Sequence, residues 1–324
     1  DQPMLGQRGT LGVCFNGEIY NAPELRDHLR LAGHAFQSHC DTEVIVHGYA
    51  EWGFDELLSR LRGMYAIAIW NDQTRTLHAA VDPVGMKPLA FACDTGALYL
   101  ASTCDALRHV LPTPPALDRA ALCDVLCLGY IPAPHTVWQG VSKLGPGEAL
   151  QWRPAETPRR YRHYEPPRTL NDHTDPNAFP QYWEQVLDEH LLSDVPVGLF
   201  LSGGIDSSAI AVALAARGRP VSATTLALHG DDNEAPAAAS LAAHISMPHR
   251  SVAIADLDLN DILRLTALAF DEPQAYGALL TATCVAREGR KRAKVMLGGD
   301  GGDELFAGYT WHAPPTASHD PAAA

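Results

Sequence analysis

Apolar runs at residues 10–15, 64–70, 76–81 and 97–102 are short and bounded by polar or turn-forming positions, which predicts strands. Between them, apolar residues recur every three to four positions from about 23 to 32 and from 42 to 52, which predicts two helices. Strands outnumber helices and their spacing is hairpin-like, so antiparallel sheets are expected rather than crossovers. Glycine and proline mark turns at Gly129-Tyr130-Ile131-Pro132-Ala133-Pro134 and Gly145-Pro146-Gly147. From 152 to 180 the chain is rich in Pro, Arg, His and Asp with little periodicity, the signature of a linker.

After residue 181 the pattern becomes strict alternation. Near-continuous apolar runs at 197–201, 221–228, 250–254 and 293–297 are separated by helical stretches, which predicts a parallel sheet covered on both faces. Such a doubly wound α/β domain binds ligands beyond the carboxyl ends of its strands. The expected organisation is a first domain over 1–151, a linker over 152–180, a second domain over 181–311 and a Pro/Ala-rich disordered tail over 312–324.

The 324 residues carry a net charge of -14, which argues against nucleic acid or an anionic membrane as partner. The seven cysteines have no paired zinc-type spacing and suit a reducing cytoplasm. No apolar run is long enough to span a bilayer. The sequence opens on Asp1 as if a loop were entered midway and closes on the tail, so a truncation at both ends is expected.

Two loops carry candidate chemistry. The strand ending in Phe200-Leu201 runs into Ser202-Gly203-Gly204-Ile205-Asp206-Ser207-Ser208 and then an Ala-rich helix. Paired glycines let backbone approach an anion, and the serine hydroxyls add donors beside the positive end of the helix. Asp206 would repel that anion unless a cation lies between them, so Mg²⁺ is inferred. Glycine-lysine-serine spacing is missing, which excludes a Walker A loop. The second loop, Gly298-Gly299-Asp300-Gly301-Gly302-Asp303-Glu304, again follows a strand, and Asp303 is the candidate second Mg²⁺ ligand.

The first string resembles the loop of N-type ATP pyrophosphatases, which cleave ATP between the α and β phosphates. Together with Gly298-Gly299-Asp300-Gly301-Gly302-Asp303-Glu304-Leu305-Phe306 it resembles the glutamine-hydrolysing asparagine synthetase family. The resemblance implies ATP contacts from Phe200, Leu201, Ser202, Gly203, Gly204, Asp206, Ser207, Ser208, Leu226, Gly298 and Gly299, with Asp300 as a catalytic candidate. Gly298 stands where the family has serine, leaving backbone contact only. Asp271-Glu272-Pro273 matches a family turn, whose following serine is missing from Gln274-Ala275-Tyr276-Gly277-Ala278.

In the first domain, Cys14-Phe15-Asn16-Gly17-Glu18, Asp41-Thr42-Glu43 and Gly63-Met64-Tyr65-Ala66 resemble the same family's glutaminase domain, a four-layer αββα N-terminal-nucleophile hydrolase. The resemblance implies that Asn16 and Gly17 form the oxyanion hole, Gly17 and Glu18 hold glutamine, and Asp41 takes its α-amino group; an amide donor and carboxylates suit those tasks. Taken alone, Asn-Gly reads as a hairpin turn. The family's nucleophile is an amino-terminal cysteine; Cys14, inside a strand, is expected to be a buried small hydrophobe instead. Asp82-Pro83-Val84-Gly85-Met86-Lys87-Pro88-Leu89 keeps most of another family string but has Val81 for its arginine and Ala90 for its tyrosine. Thr103 likewise replaces a glutamate. The resemblance implies glutamine, aspartate and ATP as small-molecule substrates, and allows a homodimer. Two alternatives stay open: a β-lactam-synthetase-like or other amidotransferase with a different acceptor, and a non-catalytic nucleotide-binding protein.

Overall fold

The computed structural model describes residues 2–6, 9–167, 176–219, 221–230, 233–309 and 312. The chain divides into two units, Asp1–Thr174 with Ala269–Tyr276, and Asp175–Leu268 with Gly277–Ala324. The expected tail, His312 apart, lies outside the described residues, as do 168–175 of the expected linker.

The first unit holds β1 (Met4–Leu5), β2 (Leu11–Ile19), β3 (Gly63–Asn71), β4 (Thr76–Val81), β5 (Ala90–Asp94), β6 (Ala97–Ala101), β7 (Val141–Lys143), β8 (Glu148–Trp152) and β9 (Arg159–Arg162). They form a six-stranded sheet in the order β1-β2-β3-β4-β8-β9 and a three-stranded sheet β6-β5-β7. Every pairing is antiparallel. Strand β9 pairs with β8, so the first sheet extends into the span whose composition reads as linker.

Strand β3 explains the layering. Its odd positions Tyr65, Ile67 and Ile69 are fully buried and join the core beneath helices α1 (Ala22–Leu31), α2 (Thr42–Trp52) and α3 (Phe54–Arg60). Its even positions Ala66, Ala68 and Trp70 face a second core with Val81, Leu89, Phe91 and Leu150, which joins the two sheets. Period-two alternation thus makes one strand apolar on both faces. Helix α4 (Cys104–Val110) packs Cys104 and Leu107 against Ala90, Ala92 and Val141 on the far side of the smaller sheet, and α5 (Arg119–Leu128) follows. The result is the expected order of helix, sheet, sheet and helix.

Strand β2 is longer than the apolar run that predicts it. It continues in register with β3 from Leu11↔Asn71 to Ile19↔Gly63, so Asn16-Gly17 is mid-strand and not a turn. A Cβ on Gly17 would lie 2.0 Å from the Met64 carbonyl oxygen, so only glycine permits this approach. Cys14 corrects a second expectation: it is exposed, because Val13, Phe15 and Ile19 take the buried face of β2 and Cys14 and Asn16 the other.

The second unit holds α6 (Phe179–His190), β10 (Val197–Phe200), α7 (Ile205–Ala216), β11 (Ser222–Ala227), α8 (Ala235–His244), β12 (His249–Ala253), α9 (Leu259–Ala269), α10 (Ala278–Gly289), β13 (Val295–Leu297) and α11 (Gly302–Phe306). The four strands are parallel in the order β12-β11-β10-β13. Leu199 and Leu201 pack on one face with Leu187, Ile210, Leu214 and Ala238 of α6, α7 and α8. On the other face, Phe200 and Met296 lie against Gly289 of α10, where a Cβ would be 2.8 Å from the Phe200 ring. Both faces are therefore covered, as near-continuous apolar strands require.

Candidate functional site

Strand order in the second sheet reverses at β10. The chain builds outward through β11 to β12 and then returns to place β13 on the opposite side of β10. Adjacent connections leave in opposite directions at such a point and open a crevice beyond the carboxyl ends of the strands. The two glycine-rich loops follow β10 and β13, the strands that flank it.

The loop after β10 is held by its own hydroxyls. Ser207 is buried, and its Oγ accepts from the Ser202 amide at 3.2 Å and lies 3.0 Å from Ser202 Oγ. Ser202 Oγ in turn accepts from the Gly204 amide at 3.1 Å. Ser202 and Ser207 therefore shape the turn, while Ser208 is half-buried on the first turn of α7. Gly203 has φ +89° and its missing side chain admits the start of α8: a Cβ would be 2.9 Å from the Ala238 nitrogen. Leu201 is buried, so it can offer a ligand only backbone, whereas Phe200 is half-buried.

The loop after β13 lies directly on the first. A Cβ on Gly299 would be 3.0 Å from the Ser207 nitrogen, and one on Gly302 would be 2.5 Å from Cγ and 2.6 Å from Oδ2 of Asp206. The Asp206 carboxylate thus sits in a cradle of glycine backbone at the N-terminus of α7. Asp300 is exposed and folds back over Gly298, filling the space a serine side chain would use. Asp303 turns toward Gly308, where a Cβ would be 1.9 Å from its Oδ1. The structure therefore brings Asp206 to the crevice with Gly299 and Gly302, while Asp303 faces the end of α11. Among the described residues no group of three or more His, Cys, Asp or Glu could cage a metal. A nucleotide-bound Mg²⁺ needs only one or two carboxylates besides the phosphates, and the hard oxygen donor of Asp206 fits that.

Leu226 stands at the carboxyl end of β11, half-buried, paired with Val252 of β12. Its neighbour Thr225 donates its hydroxyl to the Leu201 carbonyl, and His249 Nε2 lies 2.8 Å from Thr225 Oγ1. The threonine proton being committed, His249 must donate at Nε2. Burial pushes His249 below the ordinary imidazole range. Nothing in the sequence singles out this pair, which fixes the backbone just ahead of the phosphate loop.

In the first unit, Asn16 is exposed and Gly17 and Glu18 half-buried near the end of β2. Asp41 precedes α2 without capping it; its Oδ2 accepts from the Ile19 amide at 3.0 Å. That bond brings Asp41 to the strand that carries Asn16, Gly17 and Glu18. Asp82 is fully buried and accepts four amides, from Tyr65, Val84, Met86 and Lys87 at 3.0–3.2 Å. It is a structural anchor for the turn after β4. Asp271 and Glu272 belong to this unit as well: Asp271 Oδ2 accepts from the Asp105 amide at 3.0 Å, and Glu272 accepts from the Val137 amide at 2.8 Å and pairs with Lys143.

Known proteins share both halves of this arrangement. A family model described as a glutamine amidotransferase domain matches residues 1–164, and one described as asparagine synthase matches 182–324. The chain belongs to the family that joins these two domains. A Bacillus subtilis protein named asparagine synthetase [glutamine-hydrolyzing] 1 is 35% identical over 97% of this chain and 50% of its own length. A Mycobacterium tuberculosis relative, given the asparagine synthetase name provisionally, is 39% identical over 94% of this chain and 48% of its own. The chain thus spans about half the length of the curated relatives it matches. Among solved structures, a B. subtilis glutamine phosphoribosylpyrophosphate amidotransferase is matched over 77% of this chain and 48% of its own at 20% identity, with a TM-score of 0.36. Membership in the two-domain family accounts for an antiparallel, two-sheet first unit followed by a parallel-sheet second one. No helix among the described residues is long and apolar enough to cross a membrane.

Proposed function

We propose that this chain carries the glutamine-cleaving and ATP-cleaving halves of an asparagine synthetase, forming asparagine, AMP and pyrophosphate from aspartate, ATP and glutamine-derived ammonia. In the first unit, Asp41 and Glu18 would hold free glutamine while Asn16 and the Gly17 amide stabilise the oxyanion that forms when the family's nucleophile, an amino-terminal cysteine thiolate, adds to the side-chain amide and ammonia leaves. In the second, ATP would lie in the crevice at the strand reversal with adenine against Leu226. The backbone of Ser202–Ser208 and the start of α7 would take the charge of the departing pyrophosphate, with backbone of Gly298 and Gly299 on the other side. Asp206 would hold Mg²⁺, which supplies positive charge against the phosphates, and Asp303 could join it only by turning away from Gly308. Aspartate adenylated at its side chain would then lose AMP to ammonia, with Asp300 at the crevice rim as the candidate acid or base.

The observation that carries this reading is the contact of Gly299 and Gly302 with Ser207 and Asp206 at the point of strand reversal. Seven free thiols fit a reducing compartment, and we place the protein in the cytoplasm. The test is product analysis with MgATP, aspartate and glutamine. AMP and pyrophosphate should form in equal amounts and only when aspartate is present; ADP and phosphate, or aspartate-independent turnover, would contradict the assignment.

A further inference from the structure

The chain leading into Asp41, whose Oδ2 accepts from the Ile19 amide, is held in place before α2 begins. Three buried ionisable side chains do this holding. The Arg26 guanidinium, 8% exposed, donates to the carbonyls of Ser38 at 2.7 Å and Cys40 at 2.8 Å, with its face 4.4 Å from the Phe36 ring centre. Glu43, 7% exposed, accepts from the amides of Gln37 at 2.7 Å and Ser38 at 2.8 Å and from Ser38 Oγ at 2.6 Å. His47 Nε2 lies 3.5 Å from Glu43, and its Nδ1 is 3.2 Å from Nδ1 of His34, whose Nε2 is 2.9 Å from Glu51.

The carbonyls of residues 38 and 40 are thus taken by a cation and the amides of 37 and 38 by an anion. Burying such groups is costly unless each is satisfied, and a loop that only joined α1 to α2 would have no need of them. Burial alone would raise the Glu43 carboxyl, yet the Ser38 and Gln37 hydrogen bonds and His47 outweigh it and hold it below the usual carboxylate range. It stays charged. Cys40 Sγ, exposed, lies 3.6 Å from Asp41 Oδ1 and 3.3 Å from Thr42 Oγ1, so the clamp ends at the Asp41 carboxylate.

We propose that Arg26 and Glu43 are positioning residues for amino-acid recognition: they fix residues 37–41 so that Asp41 presents its carboxylate beside Asn16, Gly17 and Glu18 to the α-ammonium of a free amino acid. This rests on reading Asp41 as the ammonium acceptor. It assigns ligand selectivity to two side chains that touch no ligand.

The test compares binding of L-glutamine with that of 4-carbamoylbutanoate, the same molecule without the α-amino group. Asp41→Asn should remove most of the preference for glutamine. Glu43→Gln and Arg26→Lys should each reduce that preference about tenfold, as expected for one misplaced charge-assisted contact, and leave affinity for the deamino analogue unchanged. Hydrogen exchange at the Ile19 amide, measured without ligand, should quicken in both variants. If Glu43→Gln does not fold, Arg26→Lys decides the matter by the same two readouts. Equal weakening of both ligands would make the clamp merely structural and overturn the inference, as would an unchanged preference or unchanged exchange at Ile19. Failure of the parent protein to bind glutamine would overturn the glutamine reading and this inference with it, whereas retained preference in the clamp variants beside its loss in Asp41→Asn overturns this inference alone.

Discussion

In the first unit the segments that frame the candidate site are held by buried side chains: Arg26 and Glu43 grip residues 37–40, and Asp82 grips the turn after β4. In the second unit the corresponding segments approach one another through glycine, with Gly203 against α8 and Gly299 and Gly302 against Ser207 and Asp206. The contrast follows from the ligands each unit is read to bind. A zwitterionic amino acid is recognised by side chains of fixed charge at fixed positions. A polyphosphate is recognised by many backbone N–H groups at once, which side chains would only obstruct.

The contrast can be broken by exchanging what each unit depends on. Asp82→Ala takes the acceptor from four amides, the buried one of Tyr65 among them, and should destabilise the first unit by about 3 kcal/mol, near the upper end for single substitutions. Gly203→Ala places a methyl 2.9 Å from a backbone nitrogen at φ +89° and should cost the second unit about 2 kcal/mol, with a comparable loss of ATP affinity. Pulse proteolysis in urea, with fragments assigned by mass, measures the two units separately. If Asp82→Ala were the milder change, the division between side-chain and backbone support would be wrong.

Acid sharpens the same comparison with a smaller effect. Among the described residues, burial lowers His47, His78 and His163 in the first unit but only His249 in the second. A histidine lowered in the folded state adds stability above its unfolded value of about 6.5, and that contribution is lost as the pH falls toward the folded value. Urea midpoints taken from about pH 7 to about pH 5 should therefore fall further for the first unit. A larger fall in the second would contradict this distribution of buried imidazoles.

How much of this the sequence discloses depends on how local the cause is. The phosphate loop is legible because strand, glycine pair and helix start lie within a dozen consecutive residues, and the strand reversal is implicit in four apolar runs separated by helices. Asn16-Gly17 misleads because its local meaning is a turn; pairing with β3, more than forty residues away, makes it strand. Cys14 misleads for a related reason, since a strand interior does not say which of its two faces is covered. Asp271 and Glu272 follow a helix of the second unit, yet they bind Asp105, Val137 and Lys143 of the first across more than a hundred residues. Arg26 and His47 leave only a faint mark, as charged or polar residues on otherwise apolar helical faces, and nothing in Asp41-Thr42-Glu43 separates the role of Glu43 from that of Asp41.

On the proposed reading Asp206, cradled by Gly302 at the start of α7, couples a cation to pyrophosphate. Calorimetric titration of pyrophosphate with and without Mg²⁺ tests it most directly, comparing the parent protein with Asp206→Asn. Binding should depend on Mg²⁺ in the parent and, in the variant, be at least roughly tenfold weaker and no longer respond to Mg²⁺, a difference of about 1.4 kcal/mol or more. Equal affinity and equal Mg²⁺ dependence in the two proteins would contradict it.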